Sequence, residues 1–239
     1  MIPTVSPLAK FHPLMPDIMR LRRLYRNPKT GKVSMFKTRK SPYYGIGRHS
    51  CGRGVPAKAK AQGKSTIQVA MEWYSKPIAT CPNYVIDELG DIYVVTEESL
   101  CPPHCGVDGW QREMMLPSPG HPNGEWVHEV SEVGLHLWRK KWTGFMSPQF
   151  LFPSKSGNSD YIGVEVIPVN GPIPIFTDEA RRSLDTLEIE IGVRNGMNLR
   201  KPGSLVFHED LDPFERWDHY GGFDPGALRT IPWWKPTHG

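Results

Sequence analysis

Cysteine is scarce in this chain. Four residues in 239 (Cys51, Cys81, Cys101 and Cys105) are too few and too unevenly spaced for a disulfide scaffold, and read as reduced thiols of a protein made in a cytosol. Long apolar runs are missing too: nothing approaches the roughly 18–20 residues of a membrane span. The opening stretch MIPTVSPLAKFHPLMPDIMRLRR has no charged start followed by an apolar run and a small-residue cleavage site, so it does not read as a secretory signal. No Gly-X-Y period occurs, which excludes collagen, and no internal repeat is visible. Acidic residues are nearly absent from the first quarter. Residues 1–60 hold 14 Lys and Arg against one acid, Asp17, whereas the rest hold 15 against 24. A basic arm on an acidic body is an interaction signal for an anionic partner.

Glycine and proline are plentiful instead. The 23 glycines and 24 prolines form about a fifth of the chain, against roughly 12% in average usage. Many turns follow, and an all-helical bundle is excluded. Hydrophobic residues at 38% suffice for a core, and 239 residues suit one domain with decorations or two small ones.

Residues 1–42 are Pro-rich and basic, with a short possible helix around Asp17 to Tyr25, and read as an arm. YYGIGRH (43–49) predicts a strand followed by a Gly-rich loop, CGRGVPAKAKAQGK. From Ser65 to Lys76, Ile67, Ala70, Met71 and Tyr74 recur at helical spacing, with Ser65 or Thr66 as cap and Pro77 as stop. NYVIDELGDIYVV (83–95) predicts a β-hairpin. Another strand is expected at 161–168 (YIGVEVIP). A helix follows FTDEARRSL, capped by Thr177, with Asp178 and Glu179 suiting its positive start and Ala180, Leu184, Leu187 and Ile191 on one face. SLVFH (204–208) predicts a last strand. Residues 107–157 read as an insertion, whose ordered piece, WVHEVSEVGLHLWRKKW (126–142), predicts an amphipathic helix with acids first and bases last.

Two of the nine His residues close predicted strands, His49 and His208, and make better metal-ligand candidates than helix-face histidines such as His128 and His136. CPPHC (101–105) lacks a second Cys or His pair at finger-like spacing, a weak zinc signal. The tryptophans near the site loops, Trp110, Trp126, Trp138, Trp142, Trp217, Trp233 and Trp234, suit sugar stacking or packing.

The order of short motifs is more specific. A His at a first strand end is followed by NYVIDELGDIYVV, PHCG (103–106), NSDYIGVEV (158–166), FTDEARRSL, FHEDLDP (207–213) and FDPG (223–226). This succession resembles the zinc-dependent type 2 N-acetylmuramoyl-L-alanine amidase family. That family includes phage lysins, bacterial wall-recycling amidases and animal peptidoglycan-recognition proteins. Its members show motifs like SAHYVIDRDGTIY, WHAG, NSIGIEL, FTDAQ, GHRDI and DPG in this order, and the resemblance spans roughly residues 43–228.

The resemblance implies an α/β fold, a mixed central sheet flanked by helices, with an N-terminal arm (1–42) and an amidase-like domain (43–239) carrying the 107–157 insertion. It implies one Zn2+ held by His49, His208 and Asp224, with Glu165 as the catalytic carboxylate. It also implies His104 and Asn158 in the substrate groove. Two neutral imidazoles and one carboxylate leave such a metal net positive, so it would acidify a water and polarise an amide carbonyl. A carboxylate like Glu165 would move the proton to the leaving nitrogen. In the family the bond cut joins the lactyl group of MurNAc to L-alanine.

The chain departs from the family at several places. CPNY stands where SAHY is common, so Asn83 replaces a His and Pro82 falls where some phage members carry a catalytic Tyr. Gly222 stands where a Lys is common, and Arg216 and His219 in the same loop are candidate replacements. The insert RWDHYGG lengthens the approach to Asp224 and brings Asp218 forward as a competing ligand. An inactive peptidoglycan-binding or structural virion protein on the same fold is the alternative to the enzyme.

Peptidoglycan is the implied partner, with Arg48, Arg53, Lys58 and Lys60 flanking His49 to draw in an anionic polymer. Phage structural proteins are expected partners for residues 1–42 and 107–157. Nucleic acid is disfavoured, because the basic arm has few aromatics to stack bases. A phage product without a secretion signal would be made in the host cytoplasm and act on the wall, as a free lysin or as part of the virion.

Overall fold

The computed structural model describes residues 5–14, 25–26, 33–34, 37–39, 43, 45–51, 54–76, 81–102, 104, 126–130, 136–140, 146–147, 161–169, 175–201 and 204–207. A six-stranded mixed sheet forms its centre. Its strands in chain order are β1 (Lys10–Phe11), β5 (Gly45–Ser50), β6 (Tyr84–Ile86), β7 (Ile92–Val94), β12 (Tyr161–Val166) and β13 (Leu205–Phe207), arranged in space as β1-β7-β6-β12-β5-β13. Only β6 and β7 run antiparallel; every other neighbouring pair is parallel. The fold is therefore α/β, as expected.

The β6–β7 hairpin owes its tight turn to Asp87 and Gly90. The Asp87 carboxylate accepts from the amides of Leu89 (3.0 Å) and Asp91 (2.9 Å), and Gly90 takes φ +83°, where a side chain would be strained. Among the described residues three helices flank the sheet: α1 (Val55–Gln62), α2 (Thr66–Tyr74) and α3 (Asp178–Arg194). Ser65 Oγ accepts from the Gln68 amide at 3.3 Å and Thr177 Oγ1 from the Ala180 amide at 3.1 Å, so both expected caps are present.

Strand alternation sorts the sheet into two faces. Ile46, Ile86, Val94, Ile162, Val164 and Val166 point to one, are almost wholly buried, and form a core with Ala180, Leu184, Leu187 and Ile191 of α3. Arg48 belongs to that face and makes a bidentate pair with Glu188 of α3, both contacts at 2.6 Å. The expected role of Arg48 in attracting an anionic substrate is thereby corrected. Its guanidinium is 1% exposed and already neutralised. Lys58 and Lys60 are exposed on α1, and Arg53 lies outside the described residues.

Two element assignments also change. The stretch expected as a Gly-rich loop contains α1. Ala57, Ala59 and Ala61 are strong helix formers, Pro56 sits in the first turn where its missing N–H costs nothing, and Gly63 ends the helix at φ +61°. The stretch expected as one helix at 126–142 is an antiparallel hairpin, β9 (Trp126–Val130) and β10 (His136–Lys140), which β11 (Met146–Ser147) extends. Val127, Val130, Trp126 and Trp138 favour strands, and Gly134 between the halves disfavours a continuous helix.

Parts of the basic segment are built into this body. Lys10 and Phe11 pair with Tyr93 and Val94, and the Ser6 amide donates to the buried Tyr84 hydroxyl at 2.7 Å. Further along, β4 (Lys37–Thr38) pairs with β8 (Leu100–Cys101), and β2 (Tyr25–Arg26) with β3 (Val33–Ser34). The remainder of the helix expected around Asp17 lies outside the described residues, while Tyr25 is in β2. Among the described residues no helix is long and apolar enough to cross a membrane.

Candidate functional site

The face opposite α3 is shaped by small residues. On β5, Gly45, Gly47 and His49 alternate onto it; on β12, Tyr161, Gly163 and Glu165 do the same, each paired level with its counterpart. The two central glycines leave a trough between the strands. The His104 ring lies there, so close that a Cβ on Gly163 would stand 2.6 Å from His104 Cγ. His49 and Glu165 follow at the next level, side by side near the carboxyl ends of two parallel strands. Ligands of open α/β sheets gather at such ends.

Both histidines are buried, at 1% and 2% exposure. His49 Nε2 is 3.0 Å from His104 Nδ1, with the rings perpendicular. His104 Nε2 is in turn 3.0 Å from the Tyr161 carbonyl oxygen, which Arg39 Nη2 also reaches at 3.2 Å. His104, expected to line a groove, thus sits beneath the surface with both ring nitrogens engaged.

Glu165 is half-buried and accepts a short hydrogen bond from the Tyr74 hydroxyl. Tyr74 is the last residue of α2 and 2% exposed, and its oxygen also lies 3.2 Å from Cys51 Sγ. Burial first, then the neighbouring Cys51 and Glu165, push the Tyr74 phenol well above its ordinary pKa. It therefore stays an O–H donor at neutral pH. Sequence reasoning placed Tyr74 only on an apolar helix face. The available signal was its hydroxyl, because a phenol in a buried stripe must find a partner.

Asn83, which stands where the resemblance expects a His, is fully buried and has a framework role. Its side-chain oxygen accepts from the Gly163 amide at 3.1 Å, and its nitrogen donates to Thr96 Oγ1 (3.2 Å) and the Glu97 carbonyl (3.0 Å). The hairpin is thus tied to β12 two residues before His49's level. Cys51 and Cys81 are buried thiols and Cys101 a half-buried one.

Of the expected site residues, the structure brings together His49, Glu165 and His104. His208, Asp224, Asp218, Asn158, Arg216, His219 and Cys105 lie outside the described residues, as do the side chains of all the tryptophans named above. Among the described residues no three His, Cys, Asp or Glu side chains cluster to hold a metal ion. The donor chemistry present still fits zinc: an imidazole with one ring nitrogen hydrogen-bonded, as is usual for metal-ligating His, beside a carboxylate.

No protein-family model matches the chain, and no curated protein matches it. Among solved structures, the crystal structure of a selenomethionine AmpD derivative aligns over 92% of this chain and 92% of its own, at 12% identity and a TM-score of 0.46.

Proposed function

We propose that this protein is a zinc-dependent peptidoglycan amidase that hydrolyses the bond between N-acetylmuramic acid and L-alanine. The observation that carries this reading is the pairing of His49 with Glu165 on one face, at the ends of adjacent parallel strands. It is supported by the order of motifs along the sequence. His208 is the next residue after Phe207, and Phe207 pairs with Arg48, the residue before His49. In this reading His49, His208 and Asp224 hold the metal.

Zinc, when bound, supplies a Lewis acid for the amide carbonyl and lowers the pKa of the attacking water. The chain's own residues do the rest. Glu165 takes the proton from the water and passes it to the departing nitrogen. Tyr74 holds that carboxylate in place from below, and its buried hydroxyl cannot compete as a base. Exposed Lys58 and Lys60 on α1 add positive charge that favours an anionic wall polymer.

The test is digestion of purified peptidoglycan with and without a chelator. Chelator-sensitive release of new L-alanine N-termini is expected. Absence of release, where a known amidase acts on the same sample, refutes the reading. Pro82 and Gly222, standing where the family carries Tyr and Lys, favour a second reading: a binding module on the same fold, which would retain peptidoglycan without turnover.

We also propose that the basic segment and the 107–157 insertion dock onto phage structural proteins. Because β1 and Arg39 belong to the body, deleting residues 1–42 is a poor test. Replacing Arg20, Arg22, Arg23, Lys29 and Lys32 with Gln should abolish incorporation into particles and spare hydrolysis. Unchanged incorporation would count against docking.

A further inference from the structure

We propose that His104 is a positioning residue that fixes the tautomer of His49. It holds the proton of His49 on Nε2 and so leaves Nδ1 as the nitrogen that would hold a metal. The hydrogen-bond chain starts at the Tyr161 carbonyl. That oxygen can only accept, so the 3.0 Å contact requires the His104 proton on Nε2. The same oxygen already takes the Arg39 guanidinium at 3.2 Å, and a ring 2% exposed beside a fixed cation is disfavoured as a second cation. A neutral His104 then offers Nδ1 as an acceptor. His49 Nε2, 3.0 Å away, is left as the donor. With Nε2 protonated, the basic nitrogen of His49 is Nδ1, and a ligand must bind through it in the neutral form.

The arrangement is built rather than incidental. Gly163 admits the His104 ring where any side chain would exclude it. The His104 amide also donates to the Pro102 carbonyl at 2.9 Å, which anchors its backbone. Two groups in succession, the Tyr161 carbonyl and His104, therefore orient the His49 imidazole. A ring with an undefined proton would present its lone pair to the metal only part of the time, and the fixed proton removes that loss.

The tautomer stands on the hydrogen bonds alone, whereas its use rests on reading His49 as a metal ligand. The experiment has matching arms. Long-range 1H–15N correlation spectra of the zinc-free wild-type protein should show His49 protonated at Nε2; protonation at Nδ1 overturns the proposal. Zinc affinity by competition with a chromophoric chelator should fall about 10–100-fold in His104→Leu. His104→Asn places an oxygen where Nδ1 was, keeps the acceptor, and should restore affinity to within about threefold. Equal weakening in both variants would show that only ring packing matters and would overturn the proposal. So would wild-type affinity in His104→Leu. Wild-type protein that fails to bind zinc sinks the metal reading of His49, while the spectra still decide the tautomer.

Discussion

Gly163→Ala is the smallest perturbation that separates the His104 ring from the rest of the sheet. The added Cβ would stand 2.6 Å from Cγ, 2.8 Å from Nδ1 and 3.0 Å from Cβ of His104. Cβ is fixed by the backbone, and a χ1 change that cleared Cγ and Nδ1 would break both ring hydrogen bonds, so the ring is pushed back as it stands. Ordinary contact begins near 3.4 Å, so the ring must retreat by about 0.8 Å. Its two 3.0 Å hydrogen bonds then stretch toward about 3.8 Å, beyond useful length. Overpacking of this kind costs about 1–3 kcal/mol, and stranding buried partners adds about 1–3 kcal/mol. The expected loss is therefore about 3 kcal/mol, or about 6–12 °C in melting temperature for a chain of this size. Urea unfolding of Gly163→Ala, His104→Ala and the double variant measures it as a cycle. The double variant should lose clearly less than the sum of the two single losses, because with Ala at 104 only the 3.0 Å Cβ contact of the clash remains. A Gly163→Ala stability within about 0.5 kcal/mol of wild type, or strictly additive losses, refutes the reasoning.

Other expectations follow from particular contacts. Glu188→Ala strands the Arg48 guanidinium in the core and should cost about 3–5 kcal/mol, whereas Arg48→Met with Glu188→Leu should come within about 1–2 kcal/mol of wild type; denaturant midpoints decide between them. Tyr74→Phe keeps the ring and removes only the hydroxyl held by Glu165. On the proposed reading it lowers kcat about tenfold or more with little change in KM or zinc content, and an unchanged kcat would remove Tyr74 from the site. Thr177 caps α3 and also donates to the Glu88 carbonyl at 2.7 Å, so Thr177→Ala should destabilise by about 1–2 kcal/mol in thermal melts, with Thr177→Ser close to wild type.

Legibility from sequence tracked the range of the interactions. α2 and α3 were visible because apolar spacing, caps and stops all lie within a dozen residues. The β6–β7 hairpin was visible because its turn residues sit between two apolar runs. α1 was hidden by its own punctuation: Pro56 and Gly63 suggested a loop, yet they mark the first turn and the end of a helix. The 126–142 stretch misled because Val130, Val133 and Leu137 match a helical stripe by coincidence, and strand pairing overrode it. Arg48 resembled any basic residue flanking a site. Its partner Glu188 is 140 residues away, and no local pattern announces such a pair. Tyr74 was likewise found only through Glu165, 91 residues on.

The parallel pairing of β12 with β5 explains why His49 and Glu165, so far apart in sequence, stand side by side. Parallel neighbours keep their carboxyl ends together, so the residues closing each strand gather at one edge of the sheet. The register puts Glu165 level with His49 and Phe207 level with Arg48. One residue more or less in β12 would turn Glu165 into the α3 core and bring Val164 or Val166 to the site. That slip is opposed from both sides. On the core face, Arg48 must meet Glu188 and six apolar residues must stay buried. On the site face, only glycine tolerates the His104 ring, and Asn83 grips the Gly163 amide at 3.1 Å. Gly163 therefore holds the register as well as the ring: it is the one position of β12 at which the trough, the Asn83 contact and the alignment of Glu165 with His49 are satisfied together.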